Sequence, residues 1–422
     1  MPKHVIEPLL YYVQMPFRNI EETEQGKKQS SLTTVFTCWN TMVGSGIVSL
    51  PWTFQESGFV LGLIICMVGL GVSYRTCILM IRVAGNDKEY FDTLYKYWGK
   101  WAYYCGFIST LLIMVAAVTA YFINLSSMLY YIALAIYDWI GGVDYVPINK
   151  ADFSSFSLAY MAILVFVIES IVTSKKDLSI FIRLMSYGSA FIIALIVFII
   201  GFGFYGIATT DYQIVSAGTV IAPYTNDPSD KTRYLKLFNT DFSPLAGALG
   251  IGYFLHTVSL PIVRNNAKPE NNERDVLLGY LLVGFTYISV GLMGSIGFVG
   301  TYFTAHFALA KSSEMEQNCM NMFEVKDILA FFMRFALFAL LFCCFPLINH
   351  FLRSLVFQLF FRNKEITTKI FFSVNFVILL VPTLITIFYP KIGSILGLIG
   401  AVAGLLIVYI LPVITHLKKF RT

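Results

Sequence analysis

The chain has 422 residues, of which 57% are hydrophobic and only 13% are charged, whereas an ordinary soluble domain has about 25% charged residues. These proportions exclude a soluble globular enzyme and favour a single polytopic membrane domain. The 30 lysines and arginines are balanced by 25 aspartates and glutamates and form no extended basic patch, which excludes a nucleic-acid-binding surface.

A helix that crosses the hydrocarbon core needs about 20 mostly apolar residues. Ten such runs follow one another along the chain, separated by polar or Pro/Gly/Asn-rich breaks. We predict membrane-spanning helices, named spans 1 to 10, at residues 33–54, 59–84, 101–136, 155–173, 178–207, 241–262, 275–303, 327–360, 367–388 and 391–417. The predicted fold class is therefore an all-α integral membrane protein.

The lysines and arginines predict the orientation, because cytoplasmic connections carry an excess of them. With the N-terminus inside, 21 fall on inner segments, 7 on outer segments and 2 within spans. We therefore expect both termini on the same side, which is the cytoplasmic or insertion side. Which membrane holds the protein stays open among plasma membrane, vacuole or lysosome, and mitochondrial inner membrane.

The spans divide into two groups of five with matching features. Val48-Ser49-Leu50-Pro51 in span 1 reappears as Val258-Ser259-Leu260-Pro261 in span 6, 210 positions later. Gly44-Ser45-Gly46 and Gly250-Ile251-Gly252 precede the two copies. Paired helices interrupted by glycine and proline point to a transporter site, because their free backbone groups line a cavity. We predict that spans 1 and 6 are interrupted, where N–H groups would suit a carboxylate and carbonyls an ammonium group.

The predicted organisation is a polar tail at 1–32, a first five-helix repeat at 33–207, an outer connection at 208–240, a second repeat at 241–417 and a short tail at 418–422. The alternative for the glycines of spans 1 and 6 is that they only allow helices to pack closely. Close packing is the role predicted for the glycines of span 10, which recur at helical spacing: Gly393, Gly397, Gly400 and Gly404.

Residues 40–51, Asn-Thr-Met-Val-Gly-Ser-Gly-Ile-Val-Ser-Leu-Pro, resemble the first transmembrane helix of the amino acid/auxin permease superfamily, especially its neutral amino acid transporter branch. Residues 252–262 resemble the sixth helix of that family. Residues 317–321, with Asp327 and Phe345-Pro346-Leu347, are similar to its connection into helix eight. The resemblance covers about residues 33–417 and implies a LeuT-type inverted repeat of five plus five helices, with substrate bound between helices one, three, six and eight.

The resemblance also implies site residues. Four residues of span 1 would meet the substrate carboxylate: Gly44, Ser45, Gly46 and Ile47. Three residues of span 6 would flank its amino group and side chain: Phe254, Leu255 and His256. In sodium-coupled members, an asparagine matching Asn40 and a hydroxyl residue shortly before the proline matching Pro346 help to define the ion site.

This sequence departs from the family pattern in two places that affect the site residues inferred from the resemblance. The residues before Pro346 are Phe342-Cys343-Cys344-Phe345, so the expected hydroxyl is absent, and a thiol is a poor ligand for a hard cation. The family usually has eleven helices, whereas only residues 418–422 follow span 10, so we expect the eleventh helix to be absent.

Polar residues within the spans are costly and are candidates for function. His256 is either a functional residue, which contacts substrate or carries a coupled proton, or a neutral histidine that is hydrogen-bonded to a free carbonyl. Asn40 is either an ion ligand or part of an interhelical hydrogen bond. For Glu169 a local ion pair with Lys175-Lys176 is favoured over a proton relay. Asn124 is a packing residue or a distant neighbour of the site.

The residues favour transport and not catalysis. No acidic residue lies mid-membrane near Gly44 or His256, which favours a neutral amino acid. No zinc helix, nucleophile elbow or phosphate loop is present, so we expect no cofactor and no metal. We predict a secondary transporter, either proton-coupled or a uniporter, in preference to a sodium-coupled one. The alternative is a transport-silent subunit with protein partners in a larger membrane complex, or an amino-acid-sensing transceptor.

Overall fold

The computed structural model describes residues 28–85, 87, 89–141, 153, 156–174, 188–209, 211–217, 232–298, 315–323, 325, 327–361 and 366–421. Its α-helices are α1 (Ser31–Met42), α2 (Leu50–Ser57), α3 (Phe59–Ala84), α4 (Tyr90–Trp98), α5 (Lys100–Ile140), α6 (Leu158–Thr173), α7 (Gly188–Thr209), α8 (Ser243–Gly252), α9 (His256–Arg264), α10 (Asn272–Phe298), α11 (Ile328–Phe360), α12 (Thr368–Phe388), α13 (Ile392–Ile399) and α14 (Leu411–Arg421). Short 3₁₀ segments cover Ser45–Ser49, Pro269–Asn271 and Cys319–Met322, and Gly400–Ile410 is π-helical.

Eight helices or helix pairs among the described residues are long and apolar enough to cross a membrane. They correspond to spans 2, 3, 5, 6, 7, 8, 9 and 10. The fourth span forms the shorter apolar helix α6 of 16 residues, and the first is divided into α1, a 3₁₀ segment and α2. The helices therefore occupy the predicted places, while the count of ten crossings, the five-plus-five division and the orientation stay predictions. "Inner" and "outer" below refer to that predicted orientation.

Span 1 is interrupted where its glycines lie. The helix α1 ends at Met42, and Val43 and Gly44 adopt extended backbone conformations before the chain resumes at Ser45. In span 6 the helix α8 continues through Gly250 to Gly252, and the break covers residues 253–255 before α9 begins. The second break therefore lies after its glycines and not on them.

Gly250 stays helical because it packs against another helix. A Cβ atom at Gly250 would lie 2.9 Å from the Gly400 carbonyl oxygen, and one at Gly247 would lie 1.9 Å from the Gly397 carbonyl oxygen. A Cβ atom at Gly404 would lie 3.1 Å from the Gly250 backbone. Small residues allow such close backbone approach in membranes, so the packing role predicted for the span 10 glycines is confirmed and the same role applies to Gly250.

The connection between spans 5 and 6 contains two short strands. β1 (Asp211–Ala217) pairs in parallel with β2 (Thr232–Phe238), with Asp211 opposite Thr232 and Ala217 opposite Phe238. The backbone N–H of Asn239 donates to the Ser57 carbonyl at 3.0 Å. This outer connection is thereby attached to the end of α2, a feature that no local sequence pattern indicates.

Candidate functional site

A small cavity of about 50 Å³ opens beside the interruption of span 1. Helices α1, α5, α7 and α11 and the 3₁₀ segment after α1 surround it. Its lining consists of Asn40, Val43, Gly44, Ser45, Ile47, Tyr121, Gly188, Ile192, Leu195, Leu337, Leu340, Leu341 and Cys344. None of these side chains carries a formal charge at neutral pH, so the cavity suits a ligand with no net charge.

Four of the predicted site residues line this cavity: Asn40, Gly44, Ser45 and Ile47. Gly46 is not part of this lining, and a Cβ atom there would lie 3.5 Å from the Leu396 side chain on α13. A Cβ atom at Gly44 would lie 3.5 Å from the Tyr121 hydroxyl. The extended backbone at Gly44 thus brings main-chain atoms next to a polar side chain of α5.

The predicted residues of span 6 lie elsewhere. Phe254 packs against a separate cluster of buried apolar residues, and Leu255 is fully buried in the main core. His256 is also fully buried, and its Nε2 lies 3.0 Å from the Thr76 hydroxyl on α3. Its Nδ1 has no hydrogen-bond partner among the described residues. None of the three side chains lines the cavity beside Gly44.

Tyrosine hydroxyls of α10 form hydrogen bonds to backbone carbonyls at the two helix breaks. The Tyr287 hydroxyl donates to the Met42 carbonyl at 2.7 Å and also lies 3.1 Å from the Gly252 carbonyl. The Tyr280 hydroxyl donates to the Tyr253 carbonyl at 3.2 Å. A single side chain therefore links the last residues of α1 and α8, a connection that sequence reasoning missed because nothing in the local pattern predicts it.

Asn124 on α5 connects the cavity with the outer side of the bundle. Its Nδ2 donates to the Ser45 carbonyl at 3.2 Å, and its Oδ1 accepts from Asn318 Nδ2 at 2.8 Å. The Asn318 Oδ1 in turn accepts from the Met320 N–H at 3.0 Å. Asn124 is thus in direct contact with the span 1 break, and not the distant neighbour of the site that the sequence suggested.

The outer connection around Asn318 covers the bundle. Ser127 donates to Asn321 Oδ1 at 2.9 Å, and Gln317 Oε1 accepts from the Gly393 N–H at 2.9 Å. Burial raises the pKa of Glu316 in the same connection. These contacts join α5 and α13 to a segment that lies between spans 7 and 8.

The inner side is closed by a second set of bonds. The Gln29 N–H donates to the Asn265 carbonyl at 2.8 Å, and the Ala267 N–H donates to the Gln29 carbonyl at 2.8 Å. Arg82 donates twice to the Glu273 carboxylate, at 2.6 and 2.7 Å. Since a buried water needs about 10–15 Å³ of such space, the cavity between the two closures holds a few waters but not an amino acid.

Comparisons with known proteins cover nearly the whole chain. Residues 27–422 match the family model described as transmembrane amino acid transporter protein. The Caenorhabditis elegans sodium-coupled neutral amino acid transporter 9 homolog is 25% identical over 477 residues, which span 99% of this chain and 72% of the relative. Danio rerio neutral amino acid transporter 9 is 27% identical over 473 residues, which span 100% of this chain and 81% of the relative.

One solved structure supports the fold. A Na⁺-coupled sialic acid symporter in a substrate-bound outward-open state is 11% identical and aligns with a TM-score of 0.50 over 95% of this chain and 85% of its own. At this identity the likeness concerns the fold alone. With the family match, it confirms the predicted resemblance and the LeuT-type helical fold class.

Proposed function

Because the chain belongs to the transmembrane amino acid transporter family, we propose that it moves a neutral amino acid across its membrane by alternating access. Members of this family are multi-pass integral membrane proteins with a small-molecule substrate and no catalytic reaction. The proposed binding place is the cavity beside Gly44 and Ser45, with both termini of the chain on the inner side.

The observation that carries the proposal is the interruption of span 1 at a buried cavity. Helical structure resumes at Ser45, and the first N–H groups of a helix lack intrahelical partners and carry a partial positive charge. Such an end binds carboxylates. Asn40 and Tyr121 add polar atoms to the same cavity, while its remaining lining is apolar enough to accept an uncharged side chain.

The cavity contains no full charge to balance a cationic or anionic substrate. A zwitterion has no net charge, so its carboxylate and ammonium groups need hydrogen-bond partners but no charged side chain in this lining. This balance favours neutral amino acids over lysine-like or glutamate-like substrates.

The lining also favours a mechanism that does not use sodium. Asn40 faces the cavity, and the four residues of α11 that also line it are three leucines and Cys344. A hard cation prefers oxygen ligands, and a thiol supplies a soft sulfur. We therefore propose proton coupling or uniport.

The test is reconstitution of the full chain in liposomes loaded with a panel of unlabelled amino acids. Counterflow of a labelled neutral amino acid is expected. With proton coupling a pH gradient should increase the counterflow, and with uniport it should not. A sodium gradient should have no effect in either case. Sodium-dependent uptake would contradict the coupling mode, and absence of exchange for every amino acid would contradict transport.

A pair of matched variants links transport to the cavity. Gly44→Leu fills the cavity and should abolish counterflow. Gly71→Leu makes the same change at a position where an added Cβ atom would have no neighbour within 4 Å and should leave counterflow intact. Thermal stabilisation by an amino acid without exchange would instead favour the sensing alternative.

A further inference from the structure

A carboxyl group is buried in span 4 away from the proposed substrate cavity. Glu169 on α6 has no exposed surface, and neither carboxylate oxygen has a hydrogen-bond partner among the described residues. An ionised carboxylate in such a place would be an uncompensated buried charge, which is among the costliest arrangements in a protein and costlier in a membrane. The neutral acid, with a proton on one oxygen, avoids this cost.

A buried polar cluster lies one helical turn further along α6. The Thr173 hydroxyl donates to the Glu169 carbonyl at 2.6 Å and accepts from Asn375 Nδ2 at 2.9 Å. Arg353 donates from one nitrogen to the Thr173 carbonyl at 3.0 Å and to Asn375 Oδ1 at 2.9 Å. Asn349 donates to the same Oδ1 at 2.9 Å. The backbone of Glu169 is therefore attached to a hydrogen-bonded junction of α6, α11 and α12.

The titratable groups around Glu169 come from the helices packed against α6. On α11 they are Cys343, and His350 and Arg353 of the junction. On α12 the titratable residue is Lys369, which is exposed at the start of the helix. The α5 sequence contains no titratable residue between Cys105 and Tyr121.

One helix connects this carboxyl group with the substrate cavity. The helix α11 packs against α6, and its Cys344 lines the cavity beside Gly44. A displacement of α11 that opens or closes the cavity must therefore change the surroundings of Glu169 as well.

We propose that Glu169 is the binding site of a proton that is carried with the amino acid, an inference that rests on the proposed transport function. The step is the addition of H⁺ to one carboxylate oxygen, which forms an O–H bond and takes the side chain from charge −1 to neutral. Release of the proton breaks that O–H bond and transfers H⁺ to water, so it requires the interface between α6 and α11 to admit water. This assigns to Glu169 the relay role and not the local ion pair with Lys175 and Lys176, which lie outside the described residues.

The experiment uses Glu169→Gln, which mimics the neutral acid, in the full chain. The matched control is Glu270→Gln, the same change at an exposed carboxylate in the 3₁₀ segment Pro269–Asn271. In liposomes containing a pH-sensitive dye, the wild type and the control should take up protons when amino acid is added. Glu169→Gln should lose this proton uptake and the pH dependence of counterflow, while counterflow itself persists.

Infrared spectroscopy tests proton binding without requiring transport. The wild type at neutral pH should show a protonated carboxylic acid band that Glu169→Gln removes and Glu169→Asp shifts. Absence of that band, or amino-acid-driven proton uptake that survives in Glu169→Gln, would overturn the inference. If the wild type exchanges no amino acid, the proposed function fails and the coupling role fails with it, and the infrared band alone then decides whether Glu169 holds a proton.

Discussion

Replacing Asn124 by alanine should raise the apparent affinity for the amino acid, because it destabilises a closed arrangement whose cavity of about 50 Å³ cannot hold one. The substitution removes the bond from Asn124 to the Ser45 carbonyl and the bond from Asn318 to Asn124. Both partners belong to segments that must separate when the cavity opens to the outer side. The bonds therefore stabilise the closed arrangement in preference to an open one.

The expected magnitude follows from the two bonds. Hydrogen bonds between membrane helices contribute about 0.6 kcal/mol on average and at most about 1.7 kcal/mol, so loss of both bonds costs about 1.2 kcal/mol. Because about 1.4 kcal/mol corresponds to a tenfold change, apparent affinity should rise by up to about sevenfold. Asn318 keeps its bond to the Met320 N–H, so the outer connection should remain folded.

The assay is the concentration dependence of counterflow in liposomes, using the amino acid that gives the strongest exchange. Thr119→Ala is the matched control, since it removes a bond that α5 makes within itself, to the Val115 carbonyl, and leaves the bonds from α5 to the outer connection in place. The reasoning is refuted if Asn124→Ala and Thr119→Ala change the apparent affinity equally, or if neither changes it.

Three further predictions concern packing, the cavity and pH. Gly247→Ala should lower the free energy of unfolding by about 1–3 kcal/mol, because its Cβ would lie 1.9 Å from the Gly397 carbonyl; Gly71→Ala, in open space, should not lower the melting temperature. Gly44→Ala should retain counterflow that Gly44→Leu abolishes, because the added Cβ has only ordinary contacts and the extended backbone accepts any residue. Burial, followed by the nearby Asp92, raises the pKa of Glu89 from 4.5 to about 7, so the folded state binds the proton more tightly than the unfolded state between these values. The melting temperature should therefore fall, relative to that of Glu89→Gln, as pH rises from about 4.5 to about 7, and parallel curves for the two proteins would contradict this.

Much of the architecture could be predicted from single residues and runs. The helices lie where apolar runs of about 20 residues predict them, because a membrane leaves a chain few other ways to satisfy its backbone. The interruption at Gly44 was also predicted in place. The interruption of span 6 lies a few residues after the predicted place. Gly250 stays helical because its backbone packs against Gly400, and the helix ends just before Tyr253.

The candidate site was only half predictable. Sequence pattern indicates which helix is broken but not which neighbour faces the break, because lipid-facing and core-facing sides of a membrane helix are both apolar. Asn124 meets Ser45 across 79 positions, and Tyr287 meets Met42 across 245.

The sequence by itself therefore determined a helical membrane protein with a gap in span 1, since both follow from local composition and backbone freedom. Only the tertiary structure decided that the span 1 gap borders a cavity while His256 faces Thr76. The same packing left Glu169 buried with no hydrogen-bond partner for its carboxylate among the described residues. The physical reason is that these contacts depend on how each helix is rotated and packed against distant helices, and no local pattern encodes that rotation.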